Sequence, residues 1–197
     1  MSLVLSRIYT RTGDAGTTAL GDNSRTRKTD PRLAAYADTD ETNAAIGVVL
    51  ALGDPQPQTR AVLAQLQHDL FDVGADLCAP IAEGDTRLRI TEADVARLEE
   101  HCDAFNAELT ALRSFVLPGG SPAAALLHVA RTSARRAERS TWALIEADER
   151  ATAGGAATVN PLTARYLNRL SDLLFVLARR ANAGGAGDVL WRPGDSR

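Results

Sequence analysis

Nine consecutive residues near the start, Thr10-Arg11-Thr12-Gly13-Asp14-Ala15-Gly16-Thr17-Thr18, combine two glycines with four threonine hydroxyls, and Lys28 follows downstream. Glycines three apart let the backbone turn sharply enough to aim several N–H groups at one anion. Threonine hydroxyls, Arg11 and Lys28 add donors suited to phosphate oxygens. Asp14 has the chemistry to accept from a turn N–H or to hold a magnesium-bound water. The segment is not a Walker A loop, since G-x-x-x-x-G-K-[ST] and its preceding buried strand are missing. Two readings stand side by side: a phosphate cradle, or an ordinary capped turn in a flexible N-terminal arm.

A second constellation is His128, Arg131, Arg135, Arg136, Glu138 and Arg139. On a helix turning about 100° per residue, Arg131, Arg135 and Glu138 share a ~60° sector, with His128 and Arg139 at its edge. Such guanidiniums repel one another unless an anion faces them, so the stripe suits a lined cleft or a subunit interface. A solvated face supported by Glu138, Glu146 and Asp148 is the alternative. Asn168, Arg169 and Asp172 form a third polar ridge, and an asparagine inside a helix hints at a ligand or a neighbouring helix. Phe115 precedes a rigid Pro118-Gly119-Gly120 turn, where core packing is its usual role. No nucleophile elbow, H-E-x-x-H or Cys/His metal spacing exists, and His68, His101 and His128 stand singly. An enzyme built from this chain takes its nucleophile from a substrate.

These groups need elements to hold them. Asp30-Pro31, Asp54-Pro55, Ser121-Pro122 and Asn160-Pro161 read as helix starts, and Thr91-Glu92-Ala93-Asp94 as a fifth. They predict helices over 31–52, 56–78, 91–111, 122–149 and 161–182. Leu167, Leu170, Leu174 and Leu177, like Leu63, Leu66, Leu70 and Val73, recur at helix-seam spacing. Leu126, Ala130, Ser133, Ala137 and Leu144 give the fourth helix a small-residue face for close approach. Alternating Val/Ile/Thr runs are almost absent, leaving little material for a sheet. The fold class is all-α, a bundle of about five helices in a single domain over 1–197. Within it, residues 1–29 form a flexible N-terminal segment, 79–90 a polar loop, 151–157 a short joint, and 184–197 an irregular tail containing Trp191.

With 197 residues the chain can bury a core without staples. A net charge of −3 and 5% aromatic residues argue against nucleic-acid binding. No apolar run approaches the roughly 18 residues of a membrane span. The start lacks a secretory signal, and Cys78 and Cys102 make neither a C-x-x-C motif nor a disulfide framework, so a cytoplasmic location is expected.

Four blocks resemble the PduO-type ATP:cob(I)alamin adenosyltransferases: YTRTGDAGTT (9–18), DPRLAAYADTDETNAAIG (30–47), FVLPGG with ARTSARRAERS (115–140), and YLNRLSDLLFVLARRAN (166–182). The resemblance implies a five-helix bundle assembling as a homotrimer with sites between subunits. It implies transfer of the 5′-deoxyadenosyl group of ATP to the cobalt of a reduced corrinoid, with release of triphosphate and Mg²⁺ carried on the phosphates. Cobalt as nucleophile then explains why the chain offers none. By the same resemblance Thr10, Arg11, Thr12, Gly13, Asp14, Gly16, Thr17, Thr18 and Lys28 cradle the phosphates. Arg131, Arg135, Arg136, Glu138, Arg139 and Asn168 line the ATP site, Arg135 toward the phosphates and Asn168 toward the nucleoside. Asp40 pairs with Arg131 across the subunit boundary, and Phe115 displaces the lower axial ligand of cobalt, easing reduction to Co(I). A reductase and an adenosylcobalamin-dependent mutase are the partners implied. The family's D-E-L-N stretch is Asp40-Glu41-Thr42-Asn43 here, and its approach reads Ala37-Asp38-Thr39, changes that touch helix packing more than charge. Two other classes remain open: a non-catalytic module that binds nucleotide or corrinoid without releasing triphosphate, and a structural bundle that gains no thermal stability from MgATP.

Overall fold

The computed structural model describes residues 8–153 and 155–194. The outer parts of the expected N-terminal segment and tail, 1–7 and 195–197, lie outside the described residues. Five helices dominate: α1 (Pro31–Leu52), α2 (Pro57–Cys78), α3 (Glu92–Asn106), α4 (Pro122–Thr152) and α5 (Leu162–Ala181). A single 3₁₀ turn, Ala183–Gly185, follows α5.

Four of the five starts obey the expected local chemistry, whereas α2 begins at Pro57, past Asp54-Pro55, with no side-chain cap. Asp30 accepts from the Arg32 amide at 2.8 Å and Ser121 Oγ from the Ala124 amide at 3.2 Å, each ahead of a proline that gives up no needed donor. Asn160 Oδ1 accepts from the Leu162 amide at 3.1 Å, and Asp94 reaches back to the Thr91 amide at 2.9 Å. Helix α4 runs to Thr152, three residues past its expected end and two into the expected joint, and ends on Ala153 with φ +49°.

Helix α3 stops at Asn106 rather than at the expected residue 111. The cause lies on α5: Arg179 Nη2 takes the Thr110 carbonyl at 2.9 Å, and Arg180 Nε takes Glu108 at 2.9 Å. Those bonds lead the chain off the helix axis.

Helix α4 packs against α1 on one side and α5 on the other; α2 lies along α1 and α3 along α5. One apolar core joins all five helices, including both predicted leucine seams and, from the small-residue face, Ala130, Ala137 and Leu144. A polar hub sets the ends. The buried Asp76 carboxylate accepts from the Ile90 amide at 2.8 Å, Asn160 Nδ2 at 2.7 Å and Arg89 Nη1 at 2.7 Å. This fixes the C-terminus of α2, the polar 79–90 connection and the entry to α5.

Two short stretches escape the helical reading. Strands β1 (Thr17–Ala19) and β2 (Arg25–Arg27) pair antiparallel with Thr17 opposite Arg27 and Ala19 opposite Arg25. This hairpin docks on the bundle where the Gly21 amide donates to the Cys78 carbonyl at 3.0 Å. The tail also returns as an extended segment instead of running irregularly: Leu190 bridges Val116 antiparallel. Among the described residues no helix is long and apolar enough to cross a membrane.

Candidate functional site

The hairpin closes the glycine-threonine loop into a compact shape. Arg11 and Gly16 adopt φ of +62° and +78°. The Gly16 amide donates to the Gly13 carbonyl at 3.1 Å, and the Lys28 amide to the Gly16 carbonyl at 2.9 Å. Thr10 and Thr12 hydroxyls meet at 2.9 Å. The Lys28 ammonium lies over Gly13, so close that a Cβ there would stand 3.2 Å from Nζ. Sequence patterning does not single out Arg25, yet its Nη2 donates to both the Thr12 carbonyl and Thr17 Oγ1 at 2.7 Å. Its cross-strand position opposite Ala19 was the available signal, legible only once the hairpin is known. Asp14 stays exposed. Thr18 and Lys28 line a 360 Å³ cavity that continues along α1 past Asp30, Leu33, Tyr36 and Ala37.

Helix α4 supplies the second group. Arg131 is partly buried, and its Nε is without a hydrogen-bond partner. Burial first, then the neighbouring Arg135 charge, holds the Arg131 pKa below the ordinary arginine value. Arg135 and Arg139 are exposed. Glu138 Oε1 accepts from Asn168 Nδ2 at 3.2 Å, while Asn168 Oδ1 accepts from Arg169 Nη1 at 2.7 Å. The expected ridge on α5 thus joins the arginine face of α4.

Arg136 goes elsewhere. It pairs with Asp38 at 3.3 Å and with Glu41, both on α1, and Ser140 Oγ donates to the same Asp38 at 2.5 Å. The helical period explains this: Arg136 lies about 100° around the helix from Arg135, toward α1. The structure therefore does not bring Arg136 together with Arg131 and Arg135.

Asp40 is exposed on α1 and lines a 530 Å³ cavity between α1 and α2 with Tyr36, Asn43, Phe71 and Cys78. Asn43 is 5% exposed and its Oδ1 has no partner.

The expectation that Phe115 packs in the core fails, because the residue is 77% exposed. The backbone around it is committed to the returning tail. Its carbonyl accepts from the Trp191 amide at 2.7 Å, and the Leu117 amide donates to the Val189 carbonyl at 2.8 Å. The Phe115 and Trp191 rings stand 6.1 Å apart at 54°. Together with Arg131 and Phe175 they border a 710 Å³ cleft. Trp191 and Phe175 carry no sequence signal of their own and are found only through this cleft. Apolar rings on one wall and an unpartnered guanidinium on another suit a large flat ligand that meets an anion at its edge.

Comparison with known proteins bears on this geometry. The cobalamin adenosyltransferase family model matches residues 8–181. A corrinoid adenosyltransferase of Mycobacterium tuberculosis is 60% identical over 199 residues, covering 100% of this chain and 98% of its own length. One from Bacillus subtilis is 44% identical over 187 residues, covering 93% and 91%. A solved variant of the PduO-type ATP:corrinoid adenosyltransferase from Lactobacillus reuteri, complexed with cobalamin and ATP, superposes with a TM-score of 0.83 at 34% identity, covering 94% of this chain and 99% of that one. The match runs from the glycine-threonine loop through the arginine face to the end of α5, and on that ground the chain belongs to the cobalamin adenosyltransferase family.

Proposed function

We propose that this protein transfers the 5′-deoxyadenosyl group of ATP to the cobalt of a reduced corrinoid. The observation that carries the reading is the pair Arg131 and Arg135, one helical turn apart, the first with a buried unpartnered Nε beside the Phe115 cleft. One end of that arrangement suits a polyphosphate and the other a flat macrocycle. Family membership and the Lactobacillus reuteri relative complexed with both substrates support it.

The chemistry needs no nucleophile from the protein. The electron pair of Co(I), which is substrate, forms the Co–C5′ bond as the C5′–O5′ bond breaks, and triphosphate leaves with that bond's electrons. The chain's task is alignment and stabilisation of negative charge gathering on the leaving group. Arg135 faces the phosphates, with Arg131 behind it, while Thr10–Thr18, Arg25 and Lys28 enclose the tail. Asn168, held by Glu138 and Arg169, orients the nucleoside. Arg139 borders the same face, and Arg136 acts at one remove by pinning α1.

Among the described residues no group of three or more His, Cys, Asp or Glu is placed to hold a metal. Mg²⁺ arrives on the nucleotide, where it neutralises phosphate charge, and the Asp14 carboxylate has the chemistry to accept from a magnesium-bound water.

Asp40 and Arg131, each without an ion-pair partner among the described residues, pair between copies in a homotrimer, which puts the site at the subunit boundary. Phe115 presses on the lower face of the corrinoid and keeps the axial ligand away, easing the one-electron reduction that an external reductase supplies. An adenosylcobalamin-dependent mutase consumes the product. A cytoplasmic location suits Cys78 and Cys102, both free thiols.

The test mixes protein, MgATP and chemically reduced cobalamin while the visible spectrum and triphosphate are followed. Adenosylated product with stoichiometric triphosphate is expected. Nucleotide binding with no triphosphate would leave only a binding module.

A further inference from the structure

The tail segment that pairs with Phe115 is held by a buried ionic cluster outside the nucleotide and corrinoid groups described so far. Arg179, on the last turn of α5, is 4% exposed. Its Nε donates to Asp188 Oδ2 at 2.8 Å, with side-chain exposures of 5% and 4% for the two partners. Its Nη2 donates to the Thr110 carbonyl at 2.9 Å. The second Asp188 oxygen accepts from Asn182 Nδ2 at 3.1 Å, and Asn182 Oδ1 accepts from the Ser121 amide at 3.3 Å. The Gly187 amide closes the turn onto the Asn182 carbonyl at 3.1 Å. The cluster therefore joins four pieces: the end of α5, the connection after α3, the start of α4 and the tail.

A buried ion pair is a poor way to gain stability, because desolvating both charges offsets most of their attraction. Its strength is that it tolerates one geometry only. The pairing it precedes is very short, with single-residue contact between Val116 and Leu190 flanked by two backbone hydrogen bonds. So short a ladder has little register of its own, and a one-residue slip turns each side chain to the opposite face. Asp188 sits three residues before Trp191, and fixing it fixes which face the indole presents to Phe115.

We propose that Arg179, Asp188 and Asn182 form a latch that sets the register of residues 189–191 against Phe115, making them positioning residues for the corrinoid half of the site. This rests on the reading that the Phe115 cleft receives the corrinoid. The latch acts through the tail and touches neither substrate.

Two variants of the full protein test it, Asp188→Asn and a chain ended after Asp188. The second keeps the buried pair intact, so it holds the fold if the first does not. Hydrogen exchange at the Leu117 and Trp191 amides reads the pairing without any substrate. Steady-state kinetics then separates KM for MgATP from KM for reduced cobalamin. In Asp188→Asn, both amides should lose protection while the helix amides keep theirs. KM for the corrinoid should rise about tenfold or more with KM for MgATP unchanged. The shortened chain should show the same split. Retained protection in Asp188→Asn overturns the latch. Lost pairing with unchanged corrinoid kinetics, or equal changes in both KM values, overturns the positioning role. Failure of the unaltered protein to adenosylate cobalamin removes the functional reading and the corrinoid role with it, and the exchange data then still decide whether the latch holds the tail.

Discussion

Asn168 Nδ2 donates to Glu138 Oε1 at 3.2 Å, so the polar ridge of α5 and the arginine face of α4 form one continuous surface. Arg169 holds the other end of the Asn168 amide at 2.7 Å and is itself anchored by Glu99 at 2.7 Å. The amide is thus oriented from both sides before any ligand arrives, which lowers the ordering cost of binding. Replacing Asn168 with alanine should raise KM for ATP about tenfold, the equivalent of one or two lost hydrogen bonds, while thermal stability changes little. Unchanged KM with a lowered Tm would make Asn168 a helix-to-helix tie and nothing more.

Arg135 is the exposed member of the arginine pair, and Glu138, the carboxylate on its face, is engaged by Asn168 at 3.2 Å. A donor aimed at charge that appears only in the transition state contributes to kcat. Arg135→Ala should therefore cost about 3 kcal/mol, roughly a hundredfold in kcat/KM, with most of the loss in kcat. Arg136→Ala should behave differently. It frees Asp38 and Glu41 on α1 and should lower stability by about 1 kcal/mol, with a smaller effect on turnover. Activity of Arg135→Ala within twofold of the unaltered protein would remove Arg135 from the leaving-group site.

How much of this was readable beforehand depended on the length of the signal. The leucine seams of α2 and α5 repeat over several turns, and the capping residues Asp30, Ser121 and Thr91 announce their helices within a few positions. The hairpin does not announce itself, since its strands TTA and RTR are too short to show alternation. The tail is harder still. Asp188 follows a glycine-rich stretch and looks like a solvated loop carboxylate, yet its side chain is 4% exposed against Arg179. A buried ion pair and a surface one are the same letters. Likewise the RRAER run carries part of the family resemblance, but only the helix phase separates Arg135 from Arg136.

Gly120 offers a sharp stability test at the latch. Its φ is +103°, and a Cβ there would collide with the Asn182 amide that serves Ser121 and Asp188. Gly120→Ala should destabilise the protein by about 2 kcal/mol or more, since strain and a displaced buried amide add. Gly84→Ala is the matched control: φ is +71°, but its Cβ would meet open space. About 1 kcal/mol is expected there. Equal losses in urea unfolding would mean that Asn182 moves aside freely.

His128 supplies a pH test. It is 4% exposed, its Nδ1 has no partner, and its ring stands 6.1 Å from Phe175 of α5. Burial, then the Arg131 charge one turn on, pushes its pKa below the ordinary histidine value, against a weaker opposing pull from Asp188. The charged form is disfavoured only in the folded state. As pH falls through about 6.5, the unfolded chain takes up this proton before the native one does, so stability declines from there down to the native pKa and is unaffected above. His128→Gln removes that titration. The unfolding free energy of the variant relative to the unaltered protein should hold constant above about pH 7 and move in the variant's favour as pH falls below about 6.5. Denaturant titrations at pH steps through that window measure the difference directly. A constant difference at every pH would show that His128 binds its proton equally well in both states, and that neither its burial nor Arg131 bears on the ring.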